Sequence, residues 1–126
     1  MAYSWTFQYQ APILEVKAVG TEEHFKEAMN YAFAVHDAII ANGACGVMCD
    51  ERELIYNLSL VDTFKLAQGA MDHYSGIKAI AIVASKAQLT EVKLYCTYLS
   101  VNGIKAHSFL QLEEARTWLL EQCKSN

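Results

Sequence analysis

Aromatic and polar residues alternate at the start of the chain. The aromatic positions are Tyr3, Trp5, Phe7 and Tyr9. A period of two with aromatic side chains on one side predicts a β-strand. Pro12, the only proline, interrupts this run, and a second apolar segment follows at residues 13–19. We therefore predict a β-hairpin whose turn lies at residues 10–12.

A helical period begins after Gly20. Thr21 is the predicted N-cap, and Glu22 and Glu23 would then lie in the first turn, where the helix dipole favours acidic side chains. Residues of one predicted inner side recur at helical spacing, at Phe25, Met29, Ala32, His36 and either Ile39 or Ile40. The Asn42-Gly43 pair is typical of a helix end.

Three further strand–helix pairs are predicted downstream. The strands are residues 45–50, 78–85 and 104–109, and the middle one, with the core AIAIVA, is apolar on both faces, as a central strand covered by helices would be. The helices begin at Ser59, at a Ser85/Gln88 capping box, and after residue 109. The second helix would turn Leu60, Phe64, Ala67 and Met71 inward. The order β-β-α-β-α-β-α-β-α predicts one α/β domain over residues 1–126, with a mixed, partly parallel sheet of four to five strands.

Composition narrows the classes of partner. Ten basic and fourteen acidic residues give a formal charge of −4, and the basic residues are scattered singly, which argues against a nucleic-acid surface. No apolar stretch is long enough to span a bilayer, and the first residues lack the pattern of a signal peptide. Cys45, Cys49, Cys96 and Cys123 show no metal-ligand spacing. We expect free thiols, a cytoplasmic location, and neither metal nor cofactor.

The C-terminal half resembles the uncharacterised SpoIIAA-like branch of the STAS-like superfamily. Three stretches carry the resemblance: the strand AIAIVAS, the helix end NGIKAHSF and the closing LEEARTWL, which contains Ala115, Trp118 and Leu119. The order of elements agrees over nearly the whole chain. The resemblance implies a STAS-like sheet with helices packed against it and a non-catalytic role. Relatives of this fold act as anti-sigma-factor antagonists, as regulatory domains of anion transporters, or as lipid binders.

One departure concerns the phosphorylated serine of the bacterial antagonists. Their Asp-Ser-Ser-Gly segment corresponds to ELIYNLSLVDTF here, in which only Ser59 lies near the expected place. Ser59 is therefore a candidate phospho-acceptor, because a helix N-terminus favours a phosphate. Its spacing to Asp62 is equally explained by a plain N-cap, which is the favoured interpretation.

A second candidate site lies where the predicted strands end. Asp50, Glu51, Ser85 and Ser108 fall at carboxyl ends of strands, where ligands bind in open α/β sheets. An acid–base site is one interpretation of the acidic run, which includes Glu53. A solvated loop with an ion pair to the interleaved Arg52 is the favoured one.

A third candidate is a hydrophobic pocket or interface, formed by Tyr3, Trp5, Phe7, Tyr9, Phe33 and His36. Core packing, a homodimer interface and a ligand pocket are all compatible with these residues. We predict a non-catalytic regulatory or protein-binding module that is homodimeric. The alternatives are a carrier or sensor of a small apolar ligand, such as a fatty acid or lipid, and an enzyme with an acidic site at the strand ends.

Overall fold

The computed structural model describes residues 3–73 and 76–124, and in that part of the chain five strands and four helices form one α/β unit. The strands are β1 (Ser4–Gln10), β2 (Ile13–Glu22), β3 (Gly46–Tyr56), β4 (Ala79–Val83) and β5 (Ala106–Phe109). The helices are α1 (Phe25–Asn42), α2 (Leu60–His73), α3 (Leu89–Val101) and α4 (Leu112–Lys124). The predicted order of elements and the mixed sheet are confirmed.

The strands lie in the sheet in chain order, β1-β2-β3-β4-β5. The first pair is an antiparallel hairpin, and every later pair is parallel. Each parallel pair of strands is joined by a crossover that contains a helix. When right-handed crossovers all move in the same direction across a sheet, their helices lie on one face of it. Accordingly α1, α2 and α3 cover one face, and α4 packs on the other against β3, β4 and β5.

Both faces of the sheet contribute to the core. On the face under α1–α3, the fully buried side chains include Leu14, Val16, Val35, Val47, Leu54 and Leu99. On the α4 face they include Ile13, Met48, Ala79, Ala115 and Leu119. All five residues of β4 are buried, because this strand lies between the two helical layers. The predicted central strand is thereby confirmed.

The predicted start of α1 is wrong. Thr21 and Glu22 belong to β2 and pair with Ile55 and Tyr56 of β3, so the helix begins only at Phe25. The adjacent strand β3 supplies hydrogen bonds to this segment that a helix start would leave unmade. Glu22 is consequently a buried strand residue, 4% exposed, and not a solvated residue of a first helical turn.

A bulge explains why residues 51–58 show no clear period. Lys17 pairs with Asp50 and Val19 pairs with Glu53, so two residues of β3, Glu51 and Arg52, lie opposite one residue of β2. An extra residue in one strand switches which side chains face each side. The side chains of β3 that face α1–α3 are Cys49 and Glu51, and then Leu54 and Tyr56. The inward positions therefore change from odd to even residue numbers at the bulge.

Two helix details also differ from the prediction. On α2 the buried residues are Leu66, Ala67 and Ala70, while Leu60 and Phe64 are 59% and 38% exposed, so the inner face is rotated. The Ser85/Gln88 capping box does not form: a 3-10 turn at Lys86–Gln88 precedes α3, and Ser85 makes no side-chain cap bond. Two of the α2 residues predicted to face inward do so, since Ala67 is buried and Met71 packs against the core.

A disulfide joins Cys45, just before β3, to Cys123 in the last turn of α4. The expectation of four free thiols is therefore wrong for this pair, although Cys49 and Cys96 are free and buried. The two cysteines lie 78 residues apart in sequence, and sequence spacing alone gives no sign of such a pairing. Disulfides are rare in the reducing cytosol, so the predicted cytoplasmic location loses the support of free thiols and stays a prediction.

Reduction of this disulfide is expected to lower the free energy of unfolding by about 4 kcal/mol, because the bond closes a long loop in the unfolded chain. Urea unfolding with and without dithiothreitol measures the difference. The variant Cys123→Ser should unfold as the reduced protein does and should not respond to dithiothreitol. Identical curves for the oxidised and reduced wild-type protein would contradict the covalent attachment of α4.

Candidate functional site

A cavity of about 60 Å³ lies between the sheet and the helices α1, α2 and α3. Most of its lining is apolar: Ala28, Ala32, Val35, Leu66, Ile80, Ile82 and Val92. Its polar lining is concentrated in Glu22, Glu51, Tyr31, Tyr56 and Tyr95. It lies towards the carboxyl ends of β2, β3 and β4, where ligands bind in open α/β sheets.

Glu22 enters the cavity from the end of β2. It continues the inward-facing alternation of Leu14, Val16 and Ala18, so its carboxyl group lies under the helices although glutamate is a polar, ionisable residue. Its Oε2 accepts a hydrogen bond from the Tyr3 hydroxyl at 3.0 Å. Glu22 therefore occupies an inward position of β2 at which an apolar residue would be expected, and its carboxyl group lies in the interior.

Glu51 enters the cavity from the bulge of β3 and is 6% exposed. Its Oε2 accepts a hydrogen bond of 2.8 Å from the hydroxyl of Tyr31 on α1. Its Oε1 accepts a second hydrogen bond from the hydroxyl of Tyr56 at the end of β3. The two tyrosines hold the Glu51 carboxyl in one orientation from two sides.

Burial changes the protonation of both carboxyl groups. It raises the pKa of Glu22 to about 8, helped by the negative charge of Glu51 and opposed by the Tyr3 hydrogen bond. Burial also raises the pKa of Glu51, and the hydroxyls of Tyr56 and Tyr31 oppose that shift. Two like charges in one low-dielectric site disfavour each other. Near neutral pH, Glu22 is therefore mostly protonated in the folded protein.

Neutral groups complete the polar surroundings of the two carboxyls. Burial and the nearby charge of Glu51 raise the pKa of Tyr31, Tyr56 and Cys49 well above their ordinary values. These hydroxyls stay protonated and act as hydrogen-bond donors. Cys49 stays a thiol, which is a poor nucleophile.

The ion pairs lie elsewhere. Arg52 bonds Asp50, Lys17 bonds Glu53, and Arg116 bonds both Glu15 and Glu113. Asp50 shows the effect of such a pair: burial opposes its ionisation, but the Arg52 guanidinium outweighs it, and the pKa of Asp50 falls below its usual value. Among the ion pairs of the described residues, none includes Glu22 or Glu51.

Ser59 caps α2, as the favoured interpretation holds. The backbone N–H of Asp62 donates to its Oγ at 3.1 Å, and the Thr63 hydroxyl donates to its carbonyl oxygen at 3.1 Å. The side chain is exposed. Its phosphorylation stays a prediction.

The four predicted strand-end residues do not form one site. Asp50 and Glu51 lie within β3 and not after it, and as neighbours in a strand they point to opposite faces of the sheet. Asp50 faces the α4 side with Arg52, while Glu51 faces the cavity. Ser85 follows β4, and Ser108 lies within β5. The prediction that the acidic run is a solvated loop is wrong for Glu51, which lies in the interior. The predicted ion pair is present, between Arg52 and Asp50.

The aromatic stripe of β1 divides into two halves. Tyr3 and Trp5 pack against the ring of Tyr31, with centroid distances of 5.5 and 5.4 Å. Phe7 and Tyr9 are 41% and 37% exposed, because this end of the edge strand extends beyond the core. The other two residues of the predicted pocket lie on α1, where Phe33 is exposed and His36 is partly buried, with its Nδ1 3.8 Å from Asp37.

In the described ranges, 3–73 and 76–124, no group of three His, Cys, Asp or Glu side chains is placed to hold a metal ion. None of the helices there has the length and apolar character needed to cross a membrane.

The comparisons with known proteins identify the class of fold. No protein-family model and no curated protein matches the chain. Among solved structures, the chain is similar to the crystal structure of an uncharacterised DUF3478-family protein with a SpoIIAA-like fold from Shewanella loihica PV-4. The TM-score is 0.60 and the identity 19%, over 93% of this chain and 93% of that one. The chain has a SpoIIAA-like fold, as its resemblance to that group predicts.

The sequence pattern identifies Glu51, Tyr3 and Trp5 as candidate site residues and offers Tyr31 and Tyr56 as aromatics for an apolar ligand, but it gives neither Glu22 nor the bonds of these tyrosines to Glu51. Glu22 was assigned to a helix, although its even spacing from Leu14 and Val16 marks it as an inward position of an extended strand. The role of Tyr56 depends on the bulge, whose one trace in the sequence is the loss of a clear period over residues 51–58. Tyr31 lies on the same helical face as Ala28 and Val35, and that periodicity was available.

The pKa of Glu22 predicts a pH dependence of stability. Between its ordinary value of 4.5 and about 8, the folded protein binds more protons than the unfolded chain, so stability falls as the pH rises through this window. The slope is at most about 1.4 kcal/mol per pH unit for one group. Urea unfolding at pH 5, 6.5 and 8.5 measures it.

The variant Glu22→Gln should flatten this dependence, because glutamine stays neutral throughout. The exposed neighbour serves as the control, since Glu23→Gln should keep the wild-type slope. Stability that stays constant or rises from pH 5 to 8.5 in the wild-type protein would argue that Glu22 is ionised in the interior.

Proposed function

We propose that this domain is a non-catalytic binding module of the STAS-like type that holds a small molecule in the cavity beneath α1, α2 and α3. The observation that carries the proposal is the cavity itself, an apolar space with two carboxyl groups, Glu22 and Glu51, held in it by tyrosine hydroxyls. Ligand sites commonly combine apolar walls with a few fixed polar groups.

The energetics favour a functional explanation for this cavity. A cavity of 60 Å³ in a core costs up to about 1.4 kcal/mol in lost packing, at ~24 cal/mol per Å³. Burying two carboxyl groups adds a desolvation cost that leucine or methionine at the same positions would avoid. Folding alone requires neither feature. Departures of this kind from the best-packed core are expected at functional sites.

The chemistry of the cavity favours binding over catalysis. Both Glu51 oxygens accept hydrogen bonds from tyrosines, which fix the carboxyl in place and weaken it as a base. The Cys49 thiol is buried, and its raised pKa keeps it protonated and unreactive. Perturbed carboxyl groups occur at binding sites as well as catalytic ones. These observations support the prediction that the domain is not an enzyme.

Native mass spectrometry of the protein purified from its own host tests the proposal. We expect a bound mass that is released on activation. The variant Ala32→Val adds two methyl groups at a buried position of the cavity wall and should lose this mass. Its control is Ala41→Val, at an exposed position of the same helix, which should retain it. Ligand-free wild-type protein, or equal occupancy in both variants, would contradict the proposal.

A protein contact through α2 is the second candidate function. Leu60 and Val61 are 59% and 61% exposed at the start of this helix, and Phe64, one turn further on, is 38% exposed. Adjacent exposed apolar side chains of this kind favour a protein interface. We propose that they support the regulatory role and the homodimer expected from the sequence. The same native spectra report the mass of the assembly, and a monomer would contradict the homodimer.

A further inference from the structure

We propose that the ligand of this cavity carries a small cationic head group, an ammonium or guanidinium, which binds between Glu22 and Glu51. This inference rests on the proposed function, since it assigns the chemical class of the molecule that the cavity holds. Four observations support it: the sign of the buried charge, the tyrosine lining, the volume of the cavity and the position of its mouth.

The charge of the site has one sign. Glu22 and Glu51 are 4% and 6% exposed, and Glu91 of α3 is a third acidic residue of the lining. None of the ion pairs among the described residues includes Glu22 or Glu51. Buried carboxylates are ordinarily paired with a cation or neutralised by a proton. A cationic ligand supplies the missing partner, whereas an anionic ligand would meet like charges.

The polar lining suits a cation with several N–H donors. Two carboxylates offer about four lone-pair sites each, more than the hydroxyls of Tyr3, Tyr31 and Tyr56 occupy. Hydrogen bonds between an ammonium or guanidinium and a carboxylate are about twice as strong as neutral ones. The rings of Tyr31, Tyr56 and Tyr95 line the same space, and aromatic faces attract cations.

The volume limits the size of the buried part. On the same measure of cavity volume one water needs about 10–15 Å³, so 60 Å³ has room for roughly four to six waters, or for a group of a few heavy atoms. An ammonium on a short alkyl chain and a guanidinium have this size. A fatty acid, the example considered from the sequence, is disfavoured by its charge, because a carboxylate head group would lie beside Glu22 and Glu51.

A larger molecule has room for its remaining part outside the protein. Thr63 of α2 is partly buried and Glu91 of α3 is exposed, and both line the cavity. The cavity therefore reaches the surface between these two helices. A cationic head group enters there, and the rest of the ligand extends outward between α2 and α3.

Binding of the cation is coupled to release of a proton. The titratable groups around Glu22 are Tyr3 just before β1, Tyr31 on α1, Cys49, Glu51 and Tyr56 on β3, and Glu91 and Tyr95 on α3. Of these groups, Glu22 has a pKa of about 8 and holds a proton near neutrality. The cation replaces that proton, so affinity rises with pH, by at most tenfold per unit up to about pH 8.

Three matched probes test the sign of the charge: propylammonium, 1-propanol and propanoate, titrated at pH 7.5 and followed by the backbone amide shifts of Ala28, Glu51 and Val92. We expect propylammonium to bind at least tenfold more tightly than 1-propanol and propanoate to leave these amides unchanged. We also expect the propylammonium affinity to rise between pH 6.5 and 8.

Isosteric variants locate the charge. Glu22→Gln and Glu51→Gln should each weaken propylammonium binding at least tenfold and leave 1-propanol within twofold, while Glu23→Gln should change neither. The pH dependence should disappear in Glu22→Gln. Retained propylammonium binding in both cavity variants overturns the inference, and the unchanged 1-propanol affinity shows that each variant is folded.

The outcomes also separate this inference from the proposed function. If 1-propanol or propanoate binds in the cavity as tightly as propylammonium, the cationic class is wrong and the small-molecule site remains. If none of the three probes changes the amides of the cavity wall, both the cationic class and the small-molecule site are wrong.

Discussion

Two carboxyl groups under the helices are the constraint on which this structure depends. Glu22 and Glu51 occupy inward positions of neighbouring strands, where the rest of the sheet carries Leu14, Val16 and Val47. Their burial requires donors, and three elements each supply one: Tyr3 precedes β1, Tyr31 lies on α1 and Tyr56 ends β3. The N-terminal hairpin, the first helix and the longest strand are therefore tied to one acidic centre. A cavity remains beside it because these polar groups do not pack as densely as apolar side chains would.

The topology explains why this centre lies where it does. Strands that follow one another in chain order bring α1, α2 and α3 to one face, so the carboxyl ends of β2 and β3 open under three helices. The bulge at Glu51 and Arg52 then divides the chemistry of β3 between the faces. Glu51 turns into the cavity, and Asp50 pairs with Arg52 on the opposite side. The α4 layer, attached through Cys45 and Cys123, covers that opposite side and contributes nothing to the cavity wall.

Local patterns in the sequence predict the order and type of the elements well, because apolar periodicity and turn residues act over a few positions. The hairpin at Pro12, the doubly buried β4 and the Ser59 cap all follow from such patterns. These local patterns do not predict features that depend on pairing between residues far apart in sequence. Glu22 extends a strand because β3 lies beside it, and the Cys45–Cys123 bond joins residues 78 apart in sequence. The site is only partly predictable for the same reason. The sequence indicates Glu51 as a candidate beside Asp50, but the tyrosines that bond it are positioned by the fold of other segments.

Measuring the pKa of Glu22 is the sharpest test of the acidic cavity described above. The carboxyl carbon of Glu22 is followed by ¹³C NMR from pH 4 to 10 in the ligand-free protein, and Glu22→Gln assigns the resonance by its loss. We expect a titration midpoint near pH 8, because the carboxyl is buried beside Glu51 with no cationic partner among the described ion pairs. A midpoint near the ordinary value of 4.5 would show a solvated carboxylate at the end of β2, and the acidic cavity would not exist as described.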